Sequence, residues 1–244
     1  LGCLLARREA LAELDVGHNN GLGLQGALAA SRAVTAGCAA TSAGGAGATP
    51  GMAAARSATA PGAAAVCGSA CPWRALGLAG LGAAPNEAAA LAEAFVHILR
   101  GAPELRALEV SGNDLGDSGA ARLAEALLSS REENDKSGHE VAVALEQLAL
   151  ADTGCGHSTA RALQCALAGD PEGPRSCAGL RVLNLDGNGL DDKCAEALAE
   201  GLAASPTLME LQLARNQVTC RGAAALASGL TQQRSRGARS LGMG

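Results

Sequence analysis

The sequence predicts an α/β solenoid of about six strand–helix units, with a parallel sheet on the concave face and helices on the convex face. Three observations predict it. One apolar string recurs six times along the chain: a leucine, another three residues on, an aliphatic two beyond that, and often an asparagine three further. Each copy is followed by an apolar stripe of helical period. The third observation is compositional: 244 residues contain one Trp, one Phe and no Tyr. A globular enzyme core is hard to assemble from these residues, whereas a thin core of leucine and alanine is sufficient for stacked repeats.

The clearest copy is Leu180, Leu183, Leu185, Asn188, Leu190, and the next, 28 residues later, is Leu208, Leu211, Leu213, Asn216, Val218. A third reads Leu105, Leu108, Val110, Asn113, Leu115. Leu145, Leu148, Leu150, Thr153, Cys155 keeps the spacing but replaces the asparagine with Thr. Trp73, Leu76, Leu78, Leu81, Ala83 loses it altogether. At the front, Leu11, Leu14, Val16, Asn19 fits, with one residue inserted before Leu22. The alternation inside each string marks a short strand that buries one face.

The helices follow from the stripes behind each strand. Gly119, Ala120, Leu123, Ala124 and Leu127 form one; Cys194, Ala195, Leu198, Ala199 and Leu202 form another, with Asp191 and Asp192 placed to cap its start. Gly222, Ala223, Leu226, Ala227 and Leu230 form the last. A small residue recurs four positions after the last consensus apolar residue, at Gly26, Gly119, Thr159 and Gly222. This reads as close approach of helix to sheet. Strands this short are stable only when stacked, and parallel strand–helix–strand units cross over right-handedly.

Residues 1–36 read as N-terminal repeat sequence, incomplete at its start, and 72–230 as five repeats. Residues 37–71 are an Ala/Gly/Ser/Thr-rich stretch with Pro50 and Pro61, read as a flexible insertion. Residues 131–142 and 169–178 lengthen two units as surface loops. Residues 231–244, with Arg234, Arg236 and Arg239, read as a basic flexible tail. Neither end shows a polar capping unit, so the chain reads as part of a longer array.

A net charge of −5 and a pI near 5.4 offer no electrostatic footprint for nucleic acid or an anionic membrane, and few aromatic residues are available for base stacking. The nine cysteines are odd in number and irregular in spacing. Cys155 and Cys194 occupy apolar repeat positions and read as small core residues. Cys67 and Cys71 have no companion ligands for zinc. No signal peptide or membrane span is evident, so a cytoplasmic protein without cofactor or metal is expected.

The strings LRVLNLDGNGLDDKCAEALAEGL and LMELQLARNQVTCRGAAALASGL resemble leucine-rich repeats of the ribonuclease-inhibitor-like subfamily, over residues 1–36 and 72–230. The resemblance implies a leucine-rich-repeat horseshoe that binds another protein on its concave face. Similar repeats occur in NOD-like receptors, tropomodulin-type cappers and the Ran GTPase-activating protein. Regulation of a small GTPase, or service as the sensor segment of a NOD-like receptor, are therefore alternatives. The resemblance also assigns Asn19, Asn113, Asn188 and Asn216 to a structural asparagine ladder. A short amide there can satisfy backbone groups where the chain leaves the strand. Thr153 and Leu81 break the ladder, so their turns are expected to be looser.

Between the consensus leucines lie the residues expected on the concave face: Glu13, Asp15, His18, Glu109, Ser111, Gln147, Asp152, Asn184, Asp186, Glu210, Gln212 and Arg215. Acidic residues outnumber basic ones, which suits a partner with a basic segment. An enzyme is not indicated. His18, His97, His139 and His157 are scattered, with no nucleophile or carboxylate at catalytic spacing. The glycine-rich string near Gly44 lacks the lysine of a phosphate loop.

Overall fold

The computed structural model describes residues 13–39, 74–102, 104–128, 145–168 and 179–241. Among the described residues six strands of three residues alternate with six helices. The strands are β1 (Glu13–Asp15), β2 (Ala75–Gly77), β3 (Ala107–Glu109), β4 (Gln147–Ala149), β5 (Val182–Asn184) and β6 (Glu210–Gln212). The helices are α1 (Gly23–Ala39), α2 (Ala88–Gly101), α3 (Gly116–Leu128), α4 (His157–Ala168), α5 (Asp192–Ala204) and α6 (Cys220–Leu241). All strands are parallel and lie in chain order β1 to β6, and each helix packs against its sequence neighbours. This is the predicted solenoid of about six units.

Register is set by the middle leucine of each strand. Leu14, Leu76, Leu108, Leu148, Leu183 and Leu211 are successive partners across the sheet. Because side chains alternate along a strand, this one row turns inward and its flanking residues turn to the open face. Leu76, Leu108, Leu148 and Leu183 are buried, as are Leu105, Val110, Leu115, Leu150, Leu180, Leu185 and Leu190. Small buried helix residues such as Ala92, Ala120, Ala160 and Ala195 let the helices approach them. Among the described residues the largest fully buried side chain is Phe95, in α2.

Each unit also serves its neighbour. Asp191 caps its own helix by accepting from the Cys194 N–H at 2.9 Å. Asp192, one residue on, caps the next helix instead, accepting from Thr219 N–H and Gly222 N–H at 2.7 and 3.1 Å. Asp117, at the same repeat position two units earlier, accepts from the Gly156, Ser158 and Thr159 amides at 2.9–3.0 Å. Burial pushes the Asp117 carboxyl upward, but the bonds from Thr159 and Ser158 outweigh that and hold it down at about 2.

The small residues at Gly26, Gly119 and Gly222 have a cause different from the expected approach to the sheet. A Cβ at Gly222 would stand 2.7 Å from Asp192 Oδ1 and 2.7 Å from Val218 Cγ1. At Gly119 it would meet Ala92 and Leu115, and at Gly26 it would meet Leu22. The crowding comes from the side chain four residues earlier and, at Gly119 and Gly222, from the preceding helix.

Helix α6 continues to Leu241, so residues 231–241 are helical where a basic flexible tail was expected. Gln233 anchors the extension by donating to the Ser205 and Leu208 carbonyls at 2.9 and 3.0 Å. Beyond it the helix runs on through Arg234, Arg236, Ala238, Arg239 and Leu241, good helix formers, despite Ser235, Gly237 and Ser240. At the front, α1 runs to Ala39, into the stretch read as an insertion. The rest of that stretch, the 131–142 and 169–178 excursions and residues 1–12 lie outside the described residues.

Two outcomes follow from this packing. Leu183→Ala should destabilise the fold by roughly 2–5 kcal/mol in chemical denaturation, because a fully buried side chain leaves a cavity between two units. Asp117→Asn should cost about 1–2 kcal/mol at neutral pH, because the amide keeps one accepting oxygen but loses the charge and the second acceptor that receives Ser158 N–H. The carboxylate is depressed in the folded state, so its contribution is complete above its ordinary value of 3.8 and is lost as pH falls toward about 2. Denaturation of wild type and variant across that window should therefore converge.

Candidate functional site

The open face of the sheet consists of two rows flanking the buried leucines. The first is Glu13, Ala75, Ala107, Gln147, Val182 and Glu210; the second is Asp15, Gly77, Glu109, Ala149, Asn184 and Gln212. Glu13, Asp15, Glu109, Gln147 and Glu210 are exposed, while Asn184 and Gln212 are half-buried. The acids are not gathered in one patch. Glu13 and Asp15 share β1, Glu109 lies two strands away and Glu210 is on β6. Between β1 and β5 the face carries the small residues Ala75, Gly77, Ala107 and Ala149 beside the exposed Glu109 and Gln147, with Gly77 buried beneath Asp15.

Beyond each strand the backbone turns through a left-handed residue at one fixed repeat position. His18, Gly80, Gly112, Asp152, Gly187 and Arg215 all have φ between 51° and 69°. The turn is needed because the parallel ladder continues past the strand: His18, Gly80, Gly112, Asp152 and Gly187 each donate N–H to a carbonyl of the next unit at 2.6–2.9 Å. Glycine takes this conformation freely, whereas His18, Asp152 and Arg215 are strained there.

The asparagine follows immediately. Asn113 Nδ2 donates to the Leu78 and Val110 carbonyls at 2.7 and 2.8 Å, and its Oδ1 accepts from Leu81 N–H at 2.9 Å. Asn188 donates to Leu150 and Leu185 and accepts from the Thr153 and Cys155 amides, both at 3.0 Å. Asn216 repeats this toward Leu185, Leu213, Asn188 and Leu190. Asn19 is exposed and bonds its own turn, at Val16 and Gly17.

At the two positions without asparagine, a backbone carbonyl takes over. Leu81 O accepts from Gly23 N–H at 2.8 Å and Thr153 O accepts from Gly116 N–H at 3.0 Å. Gly23 and Gly116 themselves have positive φ, which turns their amides to these carbonyls. The Thr153 hydroxyl keeps part of the asparagine's work, donating to the Leu150 carbonyl at 2.8 Å, and both Leu81 and Thr153 are fully buried.

Several predicted surface residues have partners inside the face. Asp186 Oδ1 accepts from the Ala214 N–H at 2.7 Å, and Ser111 Oγ from the Ala151 N–H at 3.3 Å. Both sit at the same repeat position and serve the next unit. Asp15 Oδ1 accepts from Gly17 N–H at 2.8 Å and leans over Gly77, where a Cβ would stand 2.5 Å from it. Asp152 pairs with Arg215 at 3.1 Å across an intervening unit. The pair passes over Gly187, where any side chain would overlap the Asp152 carboxylate. Both partners are more than half exposed, so the pair organises the turn row and contributes little stability. A shallow depression beside His18 is lined by Val16, Asn19, Asn20, Gly21 and Leu22.

One row escaped the sequence reading. Arg74, Arg106, Glu146, Arg181 and Met209 each stand one residue before a strand. Their signal was available in the repeat register but not in the alternation of the strands. Cys155 and Cys194 are buried, and burial pushes both thiols up to about 11. Among the described residues no group of three His, Cys, Asp or Glu could hold a metal ion, and no helix is long and apolar enough to cross a membrane.

A family model described as leucine-rich repeat matches residues 103–124, 176–199 and 204–227. These segments contain the third, fifth and sixth strings, so the chain carries leucine-rich-repeat units. Among solved structures, the Caenorhabditis elegans tropomodulin C-terminal domain is similar, with TM-score 0.46 and 11% identity, covering 99% of this chain and 96% of that one. Leiomodin-1 actin-binding site 2 is similar at TM-score 0.45 and 11% identity, covering 98% and 90% respectively. Among curated proteins none matches.

The amide ladder makes its own prediction. Asn188→Ala should lower stability by roughly 1–3 kcal/mol, because the Thr153 and Cys155 amides lose their acceptor. Hydrogen exchange should show those amides exchanging faster, with the Leu76 and Leu108 region unaffected.

Proposed function

We propose that this chain is a non-catalytic interaction module of the ribonuclease-inhibitor-like type, whose concave sheet receives a basic segment of another protein. The observation that carries the reading is the floor of Ala75, Ala107 and Ala149 over β2–β4, into which Glu109 and Gln147 rise, with exposed Glu13 and Asp15 on one side and Glu210 beyond. A backbone can lie close to such a floor, and carboxylates at its margins favour arginine or lysine side chains. The repeat architecture supports the same reading, since a stack of units presents one continuous surface.

Within the candidate set the residues divide by duty. Asp186 and Asp152 are engaged with Ala214 and Arg215, so their charge is partly used in holding the turns. Glu13, Glu109 and Glu210 form no ion pair among the described residues and are the acids available to a partner. The face offers no aromatic anchor among the described residues, so this surface alone should give modest affinity.

The triple variant Glu13→Lys, Glu109→Lys, Glu210→Lys should retain the wild-type circular dichroism spectrum. It should bind an arginine- and lysine-rich dodecapeptide at least about tenfold more weakly at low ionic strength. Equal affinity of variant and wild type would overturn the reading.

A further inference from the structure

The row that precedes the strands forms a second surface, independent of the acids on the sheet. Arg106 N–H donates to Arg74 O, Glu146 to Arg106, Arg181 to Glu146 and Met209 to Arg181, at 2.7–2.8 Å. This backbone ladder sets the five residues side by side, at the roughly 4.8 Å pitch of neighbouring strands. Glu146 stands between two arginines and divides its oxygens between them, one 3.2 Å from Arg106 and the other 3.9 Å from Arg181. Arg106 and Arg181 remain 54% and 57% exposed. One carboxylate thus serves two guanidinium groups, and Arg74 adds a third cation to the row. In a chain of net charge −5, such a basic line runs against the overall balance.

The same row ends in Met209, which is 80% exposed, the more exposed of the two large apolar side chains that stand out to solvent among the described residues. An isolated exposed methionine needs no explanation. Its place at the end of a cationic row gives it one, because a flexible thioether suits an adaptable apolar contact.

We propose that this row is a docking edge for an acidic polypeptide segment that carries an apolar residue. The segment lies across the strand starts, its carboxylates against Arg74, Arg106 and Arg181 and its apolar side chain on Met209. Four strand steps span roughly 19 Å, the length of about six extended residues. Arginine forks fit carboxylates in two-point contacts, and Glu146 keeps two of those forks in line. A nucleic acid is disfavoured: the neighbouring Glu210 is exposed one residue further along the strand, and no aromatic side chain in the row can stack a base. The proposal does not rest on the basic-segment reading, because it uses none of that reading's residues.

Fluorescence anisotropy of the 244-residue chain with a fluorescein-labelled peptide of five glutamates followed by leucine tests it. Wild type should bind at low ionic strength. Arg74→Glu, Arg106→Glu, Arg181→Glu should weaken binding at least about tenfold with an unchanged circular dichroism spectrum. Met209→Ser should weaken binding of this peptide severalfold but leave hexaglutamate unaffected, and Glu146→Gln should strengthen both. Reversal of Glu13, Glu109 and Glu210 should not weaken the acidic peptide, which separates the two surfaces. The proposal is overturned if wild type shows no binding at millimolar chain, if the triple arginine variant binds as wild type does, or if Met209→Ser affects both peptides alike. Preference for a heparin oligosaccharide over the peptide, abolished by the same arginine variant, would also overturn it, since the row would then be a general anion patch.

Discussion

Hydrogen bonding between neighbouring units, carried well past the three-residue strands, is the constraint on which the rest of the structure depends. Three residues per strand provide too few rungs to hold a sheet together. The ladder is lengthened at both ends, through residues such as Arg106 and Glu146 before the strands and Val110 and Gly112 after them. The left-handed turn, the asparagine amide and the caps from Asp117 and Asp192 extend the same connection to the helix starts. Apolar packing fills the space between sheet and helices, but the polar backbone sets the repeat pitch.

This division explains what was legible in the sequence. The buried row was readable because leucine spacing reports directly on alternation: Leu76, Leu108, Leu148 and Leu183 sit where the strings put them. Helix positions were readable from the period of their stripes. The partners of Asp117 and Asp192 were not, since a carboxylate that caps its own helix and one that caps the next differ by a single position. Asp191 and Asp192 show both cases side by side. The end of α6 was misread because serine, glycine and arginine suggest solvated chain. Gln233, which ties that segment to the Ser205 and Leu208 carbonyls, gives no local sign of doing so.

The candidate face was legible as a set of positions rather than as a distribution of charge. Alternation identified which residues turn outward, yet Asp15, Asp152 and Asp186 each have an internal contact that depends on a residue in another repeat position or unit. The glycines matter here for the space they leave. Asp152 and Arg215 can meet only because Gly187 between them has no side chain, and Asp15 leans into the room left at Gly77. A reading confined to one repeat at a time cannot detect such pairs.

The asparagine ladder also has a direction. The Oδ1 atoms of Asn113, Asn188 and Asn216 accept from the unit before them, so the turn of each earlier unit is completed by its successor. Excision of a unit should therefore injure the neighbour upstream more than the one downstream, whose amide still bonds its own strand end. Any grafting or shortening of this array is better joined immediately after an asparagine-bearing turn than before one.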